Sequence, residues 1–177
     1  QARQPAPPLF EFSTPIPQPA MQSMFDAIYP AGHQWYWKAD FIKEIPDAAI
    51  DRHIEFGSNL PSMQSTMHLY PIDGAAGRVG ADETAWAYRD AKWGMVIVGV
   101  DPDPARKEEL ISWTRAYWDA IHPYSAGGAY VNMMMDDEGQ DRVRASYRHN
   151  YERLAQIKRK YDPDNLFHVN QNIKPAS

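Results

Sequence analysis

The stretch WGMVIVGVDPDP, residues 93–104, carries the strongest fold signal in the chain. Residues 93–100 are mostly apolar and rich in Val and Ile, which is typical of a central strand that is largely buried. Asp-Pro-Asp-Pro then predicts a helix start, with Asp103 as the N-cap and Pro104 at the first helical position. That helix should run to about residue 121, and its predicted inner face contains Leu110, Trp113, Tyr117 and Ile121.

Two further segments alternate between apolar and polar residues, as half-buried strands do. In residues 34–42 the predicted polar side contains Gln34, Tyr36, Lys38 and Asp40. In residues 64–70 the side opposite Met67 and Leu69 contains Thr66, His68 and Tyr70. Residues 84–89 and 127–135 are predicted to be strands as well.

Helices are predicted from Pro46 to Gly57 and, as the longest one, over about 140–160. Strands that follow one another between helices favour an antiparallel sheet over a doubly wound one. The prediction is therefore an α+β domain over residues 20–177, an antiparallel β-sheet with helices packed on one face. Residues 1–19 contain six prolines and are predicted to be an extended arm or linker.

The composition excludes several classes of partner and site. A formal net charge of -5 argues against nucleic acid, which needs a basic face. The chain has no Cys, so thiolate metal sites are excluded, and this absence fits a reducing cytoplasm. The six His lack metal-ligand spacing, and we expect no metal. No apolar run has the length of a membrane span and no signal-peptide pattern opens the chain, so no membrane partner is expected.

The sequence contains no glycine-rich phosphate loop and no Gly-x-Ser-x-Gly nucleophile motif. Its distinctive feature is a set of polar and aromatic side chains on or near predicted strands, namely Tyr36, Lys38, His68, Tyr70, Tyr88, Tyr130 and Asn132. A sheet face of this kind would be a poor core and a good wall for a pocket that binds a planar ligand. Alternatively, these side chains cover a half-exposed sheet, and the residues alone leave both interpretations open.

The chain closes with KRKYDPDNLFHVNQNIKP, residues 158–175. On physical grounds Asp162-Pro163-Asp164-Asn165 is a turn that ends a helix, after which Leu166 and Phe167 should tuck back onto the core. Together with GGAYVN and YRHNYERLAQIKRK before it, this stretch closely resembles the C-terminal end of the berberine bridge enzyme-like flavin oxidases. TAWAYRDAKW is also similar to that family's strand before the central one, with Tyr88 where His is more usual.

The resemblance implies a protein of two parts. Family members carry an N-terminal FAD-binding domain and a C-terminal substrate domain, whose antiparallel sheet covers the flavin ring with its inner face. This chain resembles the second part, with the berberine bridge enzyme-like segment over about 128–175. FAD would then be bound mainly by an N-terminal domain that is absent from this chain. The proline-rich start would be the connection, and Gln1 in place of Met suggests a fragment.

The resemblance also assigns roles to single residues. It implies that Tyr130 and Asn132 lie beside the isoalloxazine ring of FAD, and that Asn165 belongs to the closing motif with a mainly structural role. The chain departs from the family at Met133, where many members have a tyrosine that helps to deprotonate the substrate. The remaining candidates for a catalytic acid or base, besides a group from the FAD domain, are Tyr36, His68, Tyr70 and Tyr88.

The function that the resemblance implies is that of an FAD-dependent oxidoreductase. The complete protein would transfer a hydride from an alcohol, sugar-like or secondary-metabolite substrate to flavin, and this chain alone would be inactive. Its expected partners are the small-molecule substrate and the FAD domain. One alternative is a non-catalytic ligand-binding module. Met133 favours it, and so does Ile97, since some members of the family have polar or acidic residues on the central strand. The other is an assembly module, whose aromatic face would be buried in a homo-oligomer.

Overall fold

The computed structural model describes residues 13–177, which divide into two units that meet between Gly32 and His33. The described part of the first unit contains helix α1 (Gln18–Ser23) and a 3-10 turn (Asp26–Ile28). The predicted arm over residues 1–19 lies mostly outside the described residues.

The second unit is an α+β fold built on a three-stranded antiparallel sheet. The strands are β1 (Gln34–Ile42), β2 (Thr66–Pro71) and β3 (Trp93–Asp101), and their order in the sheet is β1-β3-β2. The helices are α2 (Asp47–Gly57), α3 (Gly74–Arg78), α4 (Lys107–Ile121), α5 (Gly139–Tyr147) and α6 (Asn150–Tyr161). The predicted fold class is confirmed, with the strand around residues 93–101 at the centre. Within residues 13–177, no helix is long and apolar enough to cross a membrane.

One face of the sheet is covered by α4, with α2 packed against that helix. Met95 and Ile97 of β3 are fully buried there, in a cluster with Tyr117 and Ile121 of α4. Burial of aliphatic side chains of this size contributes about 1.5–3 kcal/mol each. At the helix start, the Asp103 carboxylate accepts a hydrogen bond from the Ala105 amide at 2.9 Å, as its predicted capping role requires.

The opposite face of the sheet joins the C-terminal part of the chain. Across the three strands, Trp37 of β1 lies beside Val98 of β3, and Val98 lies beside Thr66 of β2. Val98 belongs to a buried cluster that also contains Ala129, Met134, Val143, Tyr151 and Ala155. This cluster holds α5, α6 and the segment before them along the β1 side of the sheet. It therefore places the family-like segment next to the face that contains Trp37.

Two of the predicted strands are wrong. Residues 84–89 form no strand, because Tyr88 is packed on the Phe41 ring at 4.4 Å between centroids instead of extending the sheet. Residues 127–135 pair with β1 only around Phe41, whose amide donates to the Gly128 carbonyl at 2.7 Å. The chain then turns away into a 3-10 turn (Val131–Met133). A side chain at position 128 would collide with the Tyr88 hydroxyl, so glycine permits this close approach.

The predicted single helix over 140–160 is interrupted at Arg148, which has φ 50° and ψ −135°. This backbone conformation suits glycine and strains other residues. The break is anchored by Asn150, whose side-chain amide donates to the carbonyls of Ala81 at 2.8 Å and Thr84 at 3.0 Å. Helix α5 ends at Tyr147, just before this bend. The Tyr147 side chain therefore does not continue the side-chain stripe of α6.

The strain at position 148 can be measured by comparing Arg148→Gly with Arg148→Ala. Both variants lose the ion pair with Asp90 and the cation–π contact with Tyr88. The difference between their free energies of unfolding therefore reports the backbone strain at position 148. We expect the glycine variant to be more stable by about 1–2 kcal/mol, as measured by urea unfolding. Equal stability of the two variants would show that the backbone at this position is unstrained.

Candidate functional site

A cleft lies where β1, the 3-10 turn, α5 and the C-terminal segment meet. Its volume is about 580 Å³. The residues that give it chemical character are Trp37, Asn132, Asp136, Tyr147, Asn170 and Gln171. A cavity of this size suits a small organic molecule, and its mixture of aromatic rings and amides suits a polar planar one.

Tyr130, Asn132 and Tyr147 form a polar group, of which Asn132 and Tyr147 line the cleft. The Asn132 side-chain amide donates to the Tyr130 hydroxyl oxygen at 2.8 Å, which leaves the Tyr130 proton available to another acceptor. Burial, together with the nearby Tyr130, raises the pKa of Tyr147, so its phenol keeps its proton. A second cavity of about 210 Å³ lies against the same three residues. Asn132 and Tyr147 therefore lie between the two cavities, Tyr130 lines only the smaller one, and all three side chains can donate hydrogen bonds.

The C-terminal segment closes the cleft through Gln171. Its side-chain amide donates to the carbonyls of Met134 at 3.1 Å and Met135 at 3.2 Å. Asn170, just before it, has a left-handed φ of 57°, a conformation that Asn tolerates better than most residues. The asparagine and glutamine side chains of this segment therefore shape the wall that faces Asn132.

A network of hydrogen bonds and ion pairs joins Asp137 and Glu138 to the face of the sheet that α4 covers. The Asp137 carboxylate accepts hydrogen bonds from Tyr36 at 2.7 Å and Arg115 at 2.7 Å. Lys38 is 3.2 Å from Asp137 and 3.0 Å from Glu138. Burial opposes ionisation of Asp137, but the hydrogen bonds from Tyr36, Arg115 and Lys38 outweigh it and bring its pKa down to about 2.

The lowered pKa of Asp137 predicts a pH dependence of stability. Since the folded state binds this proton less tightly than the unfolded state, the carboxylate stabilises the fold above a pH of about 4, and this contribution is lost as the pH falls to about 2. The side chain is 35% exposed, so after screening by solvent we expect only about 1 kcal/mol. The destabilisation by Asp137→Asn should therefore be about 1 kcal/mol larger at pH 6 than at pH 2, as measured by urea unfolding.

The matched control is Asp141→Asn, which changes an exposed acid of α5. It should show no such pH dependence. An effect of Asp137→Asn that stays constant over this pH range would contradict the ionic role of Asp137.

The structure separates the predicted catalytic candidates. Tyr36 and Lys38 were candidates to line one sheet face together with His68 and Tyr70, but the register of β1 places both on the α4 side. The Tyr36 hydroxyl is engaged by Asp137 and Arg115, and burial raises its pKa. Tyr88 is buried against Phe41 and is only 2% exposed.

Tyr88 has a structural contact for its hydroxyl, which donates to the Ala145 carbonyl at 2.9 Å. With the ring stacked on Phe41, the geometry supports a packing role for this residue. Neither Tyr36 nor Tyr88 presents its hydroxyl to the cleft. His68 and Tyr70 are the two candidates that remain on the open face of the sheet.

His68 and Tyr70 are neighbours on β2, with their rings stacked at 5.7 Å and an interplanar angle of 7°. They face the same side of the sheet as Trp37, and the two outer strands lie two strand spacings, about 10 Å, apart. Burial lowers the pKa of His68, which keeps its imidazole neutral near pH 7. His68 does not line the cleft itself, but a neutral imidazole on the same sheet face as Trp37 can accept a proton.

Asn165 lies in the turn that ends α6, with a left-handed φ of 53°. The Asp162 carboxylate organises this turn by accepting hydrogen bonds from the amides of Leu166 at 2.7 Å and Phe167 at 3.0 Å. Lys158 contacts both the Asp162 carboxylate and the Phe167 carbonyl. The expectation that Leu166 and Phe167 tuck onto the core is wrong, because their side chains are 72% and 76% exposed.

Sequence reasoning did not find Tyr147 or Asp136. Tyr147 falls inside the single helix predicted over about 140–160, and only the break at Arg148 turns it toward the cleft. The strained Arg148 has no local sequence signal, so the orientation of Tyr147 was not predictable from periodicity.

Comparison with known proteins identifies the family. The family model described as "Berberine and berberine like" matches residues 129–174. The chain is 32% identical over 133 residues to the FAD-linked oxidoreductase YgaK of Bacillus subtilis, covering 75% of this chain and 29% of that protein. It is 28% identical over 162 residues to an FAD-linked oxidoreductase of Dictyostelium discoideum, covering 90% of this chain and 35% of that one.

Solved structures show the same fold. Berberine bridge enzyme from Eschscholzia californica superposes with a TM-score of 0.73 at 23% identity, covering 81% of this chain and 33% of that one. A glycopeptide hexose oxidase complexed with teicoplanin gives a TM-score of 0.72 at 21% identity, covering 80% and 32%. The chain spans about a third of the length of the curated relatives that it matches. It belongs to the berberine bridge enzyme-like family of FAD-linked oxidoreductases.

Proposed function

We propose that this chain is the substrate-binding part of an FAD-dependent oxidoreductase. The complete protein would transfer a hydride from an alcohol, sugar-like or secondary-metabolite substrate to flavin. The observation that carries the proposal is the cleft beside Tyr130 and Asn132. It is built largely by the segment that matches the family model. Its lining combines the hydrogen-bond donors of Asn132 and Tyr147 with the aromatic ring of Trp37.

The residues present fit the ring of FAD and not its diphosphate. Tyr130, Asn132 and Tyr147 offer phenol and amide groups that suit the polar edge of a planar ring with carbonyl oxygens. Among the described residues that line the cleft there is no Lys or Arg, which a diphosphate would require. We therefore assign the diphosphate end to an FAD domain outside this chain. When bound, FAD supplies the acceptor for the hydride.

The residues of this chain would position the substrate and take its proton. With Tyr130 and Asn132 at the edge of the flavin ring, Trp37 covers the bound substrate from water. A ring nitrogen of His68 accepts the hydroxyl proton, since no described residue forms a hydrogen bond with that imidazole. Met133, where many members of the family have a tyrosine, packs against the core, and its thioether is not a base.

The FAD domain would cover the apolar turn after α6. Leu166, Phe167 and Val169 are each more than 70% exposed, although hydrogen bonds to Asp162 fix the backbone that carries two of them. A rigid display of apolar side chains is typical of a surface that binds another protein surface. Replacement of Phe167 by Ser should therefore weaken the association of the two parts.

The test uses the longer protein that contains this chain together with its flavin domain. Anaerobic addition of alcohols and sugars, one at a time, should bleach the flavin absorbance for at least one of them. The 177-residue chain without the flavin domain should show no turnover, and turnover by the chain alone would overturn the division of roles.

A second candidate function is a non-catalytic ligand-binding module. Met133 favours it, because the usual tyrosine is missing from the cleft. Binding of a compound to the intact protein, with no flavin bleaching under any condition, would establish this candidate in place of the oxidoreductase.

A further inference from the structure

The chain has three consecutive acids, Asp136, Asp137 and Glu138, after residues 131–135. They differ in whether their carboxylates are paired with cations. Asp137 is bound by Arg115 and Lys38. Glu138 is bound by Lys38 and lies 3.3 Å from Arg142. Asp136 is exposed and lines the cleft, and no hydrogen bond or ion pair joins it to another described residue. One carboxylate of the three is therefore available to a ligand.

The rest of the cleft lining is uncharged in the part of the chain that the structure describes. Trp37 and Tyr147 contribute aromatic rings, and Met134 and Met135 contribute thioethers. The raised pKa of Tyr147 keeps its phenol neutral. Lys38 and Arg148 directly follow the cleft residues Trp37 and Tyr147 in the sequence. Lys38 is paired with Asp137 and Glu138, and Arg148 is paired with Asp90. Among the described residues that line the cleft, the one formal charge is thus the negative charge of Asp136.

We propose that this cleft selects an organic cation, a primary or secondary ammonium carried on an apolar or aromatic body. Asp136 is the ion partner of the ammonium, and Trp37 is the kind of ring that attracts a cation most strongly. The thioethers accommodate the apolar body, since Met adapts to irregular shapes. An anionic ligand of the same shape is rejected, because it would bring a second negative charge to Asp136.

The identification of the bound cation as the substrate rests on the proposed function. The charge selectivity itself depends on the cleft alone. Cation binding without flavin bleaching in the intact protein would therefore leave the selectivity standing and overturn the oxidoreductase. Flavin bleaching by neutral or anionic substrates in preference to amines would support the oxidoreductase function and overturn the charge selectivity.

The experiment measures binding of three probes of nearly equal shape to the 177-residue chain by NMR titration. The probes are phenethylammonium, 2-phenylethanol and phenylacetate. We expect the ammonium to bind most tightly and the carboxylate most weakly, with shift changes at Trp37 and Asn132. Asp136→Asn should reduce the affinity for the ammonium by about fivefold, the effect of one exposed ion pair, while leaving the affinity for the alcohol unchanged.

The matched control is Asp141→Asn, which removes an acid of the same charge that does not line the cleft. It should leave all three affinities unchanged. Amide spectra of each variant show whether the fold is retained. Equal affinities for the three probes, or a preference for the ammonium that survives Asp136→Asn, would overturn the proposal.

Discussion

Replacement of His68 by Gln should slow flavin reduction in the intact protein by about 10²-fold or more, with flavin binding unchanged. A positioned general base contributes about 10²–10⁴-fold to a rate. His68 is the candidate whose imidazole is neutral near pH 7, because burial lowers its pKa. Gln keeps the approximate size of the side chain but cannot accept the proton. The rate of flavin bleaching in stopped flow measures the effect.

The pH profile gives a second readout of the same residue. A base works in its deprotonated form, so activity should fall as the pH drops through the pKa of His68. Because that pKa is lowered from 6.5, the acid limb of the profile should have its midpoint below pH 6.5. The residual activity of the Gln variant should lack this acid limb. If His68 had only a structural role, the limb would remain.

The control is His53→Gln. His53 is also a half-buried imidazole with a pKa lowered by burial, but it lies in α2, where it bonds to the Tyr117 hydroxyl at 2.7 Å. It should affect stability and leave the bleaching rate within a few-fold of the original. Similar rates for the two variants would remove His68 from the list of candidate bases and leave Tyr70 or a group of the FAD domain.

Replacement of Arg142 by Met should destabilise the fold by about 3–5 kcal/mol. Its guanidinium lies 3.0 Å from the Asp40 carboxylate and donates to the Ala39 carbonyl at 2.8 Å. The Asp40 side chain is completely buried, and burial already raises its pKa against the opposing effects of His122 and Arg142. Removal of Arg142 leaves a buried carboxylate with His122 as its remaining ionic partner.

A double-mutant cycle separates the charge from the packing. Asp40→Asn together with Arg142→Met should be less destabilising than the sum of the two single variants, because the uncompensated charge is gone. Urea unfolding of the four proteins measures this. A loss below about 1 kcal/mol for Arg142→Met would mean that water or His122 compensates Asp40 fully, and it would contradict the role of Arg142 as an anchor of α5.

The same variant should also disturb the cleft. Arg142 additionally donates to the Gly127 carbonyl at 3.2 Å, and Gly127 lies three residues before Tyr130. Arg142 is on the same helix as Tyr147. Loss of this contact should therefore broaden the NMR signals of the cleft segment even at temperatures where the protein stays folded.

Part of this site was predictable from the sequence, since its signal is a local motif. Tyr130, Asn132 and Asn165 were found through the ordered motifs of the closing segment, and their cofactor roles stay predictions. The acid–base candidates came from residue type and strand alternation alone. Strand alternation separates the two faces of one strand, but it does not say which face of a neighbouring strand lies on the same side. For that reason Tyr36 and His68 were wrongly grouped.

Local patterns in the sequence were sufficient for the α+β class, the buried strand β3, the capped start of the helical segment before α4 and the family. Each of these depends on propensity, periodicity or a short motif, which neighbouring residues along the chain define. Long-range contacts were needed for the rest. The register of β1 on β3 moved Tyr36 to the α4 face, and packing of Tyr88 on Phe41 displaced a predicted strand. The anchored bend at Arg148 turned Tyr147 toward the cleft, because residues far apart in sequence outweighed the helical preference of the segment.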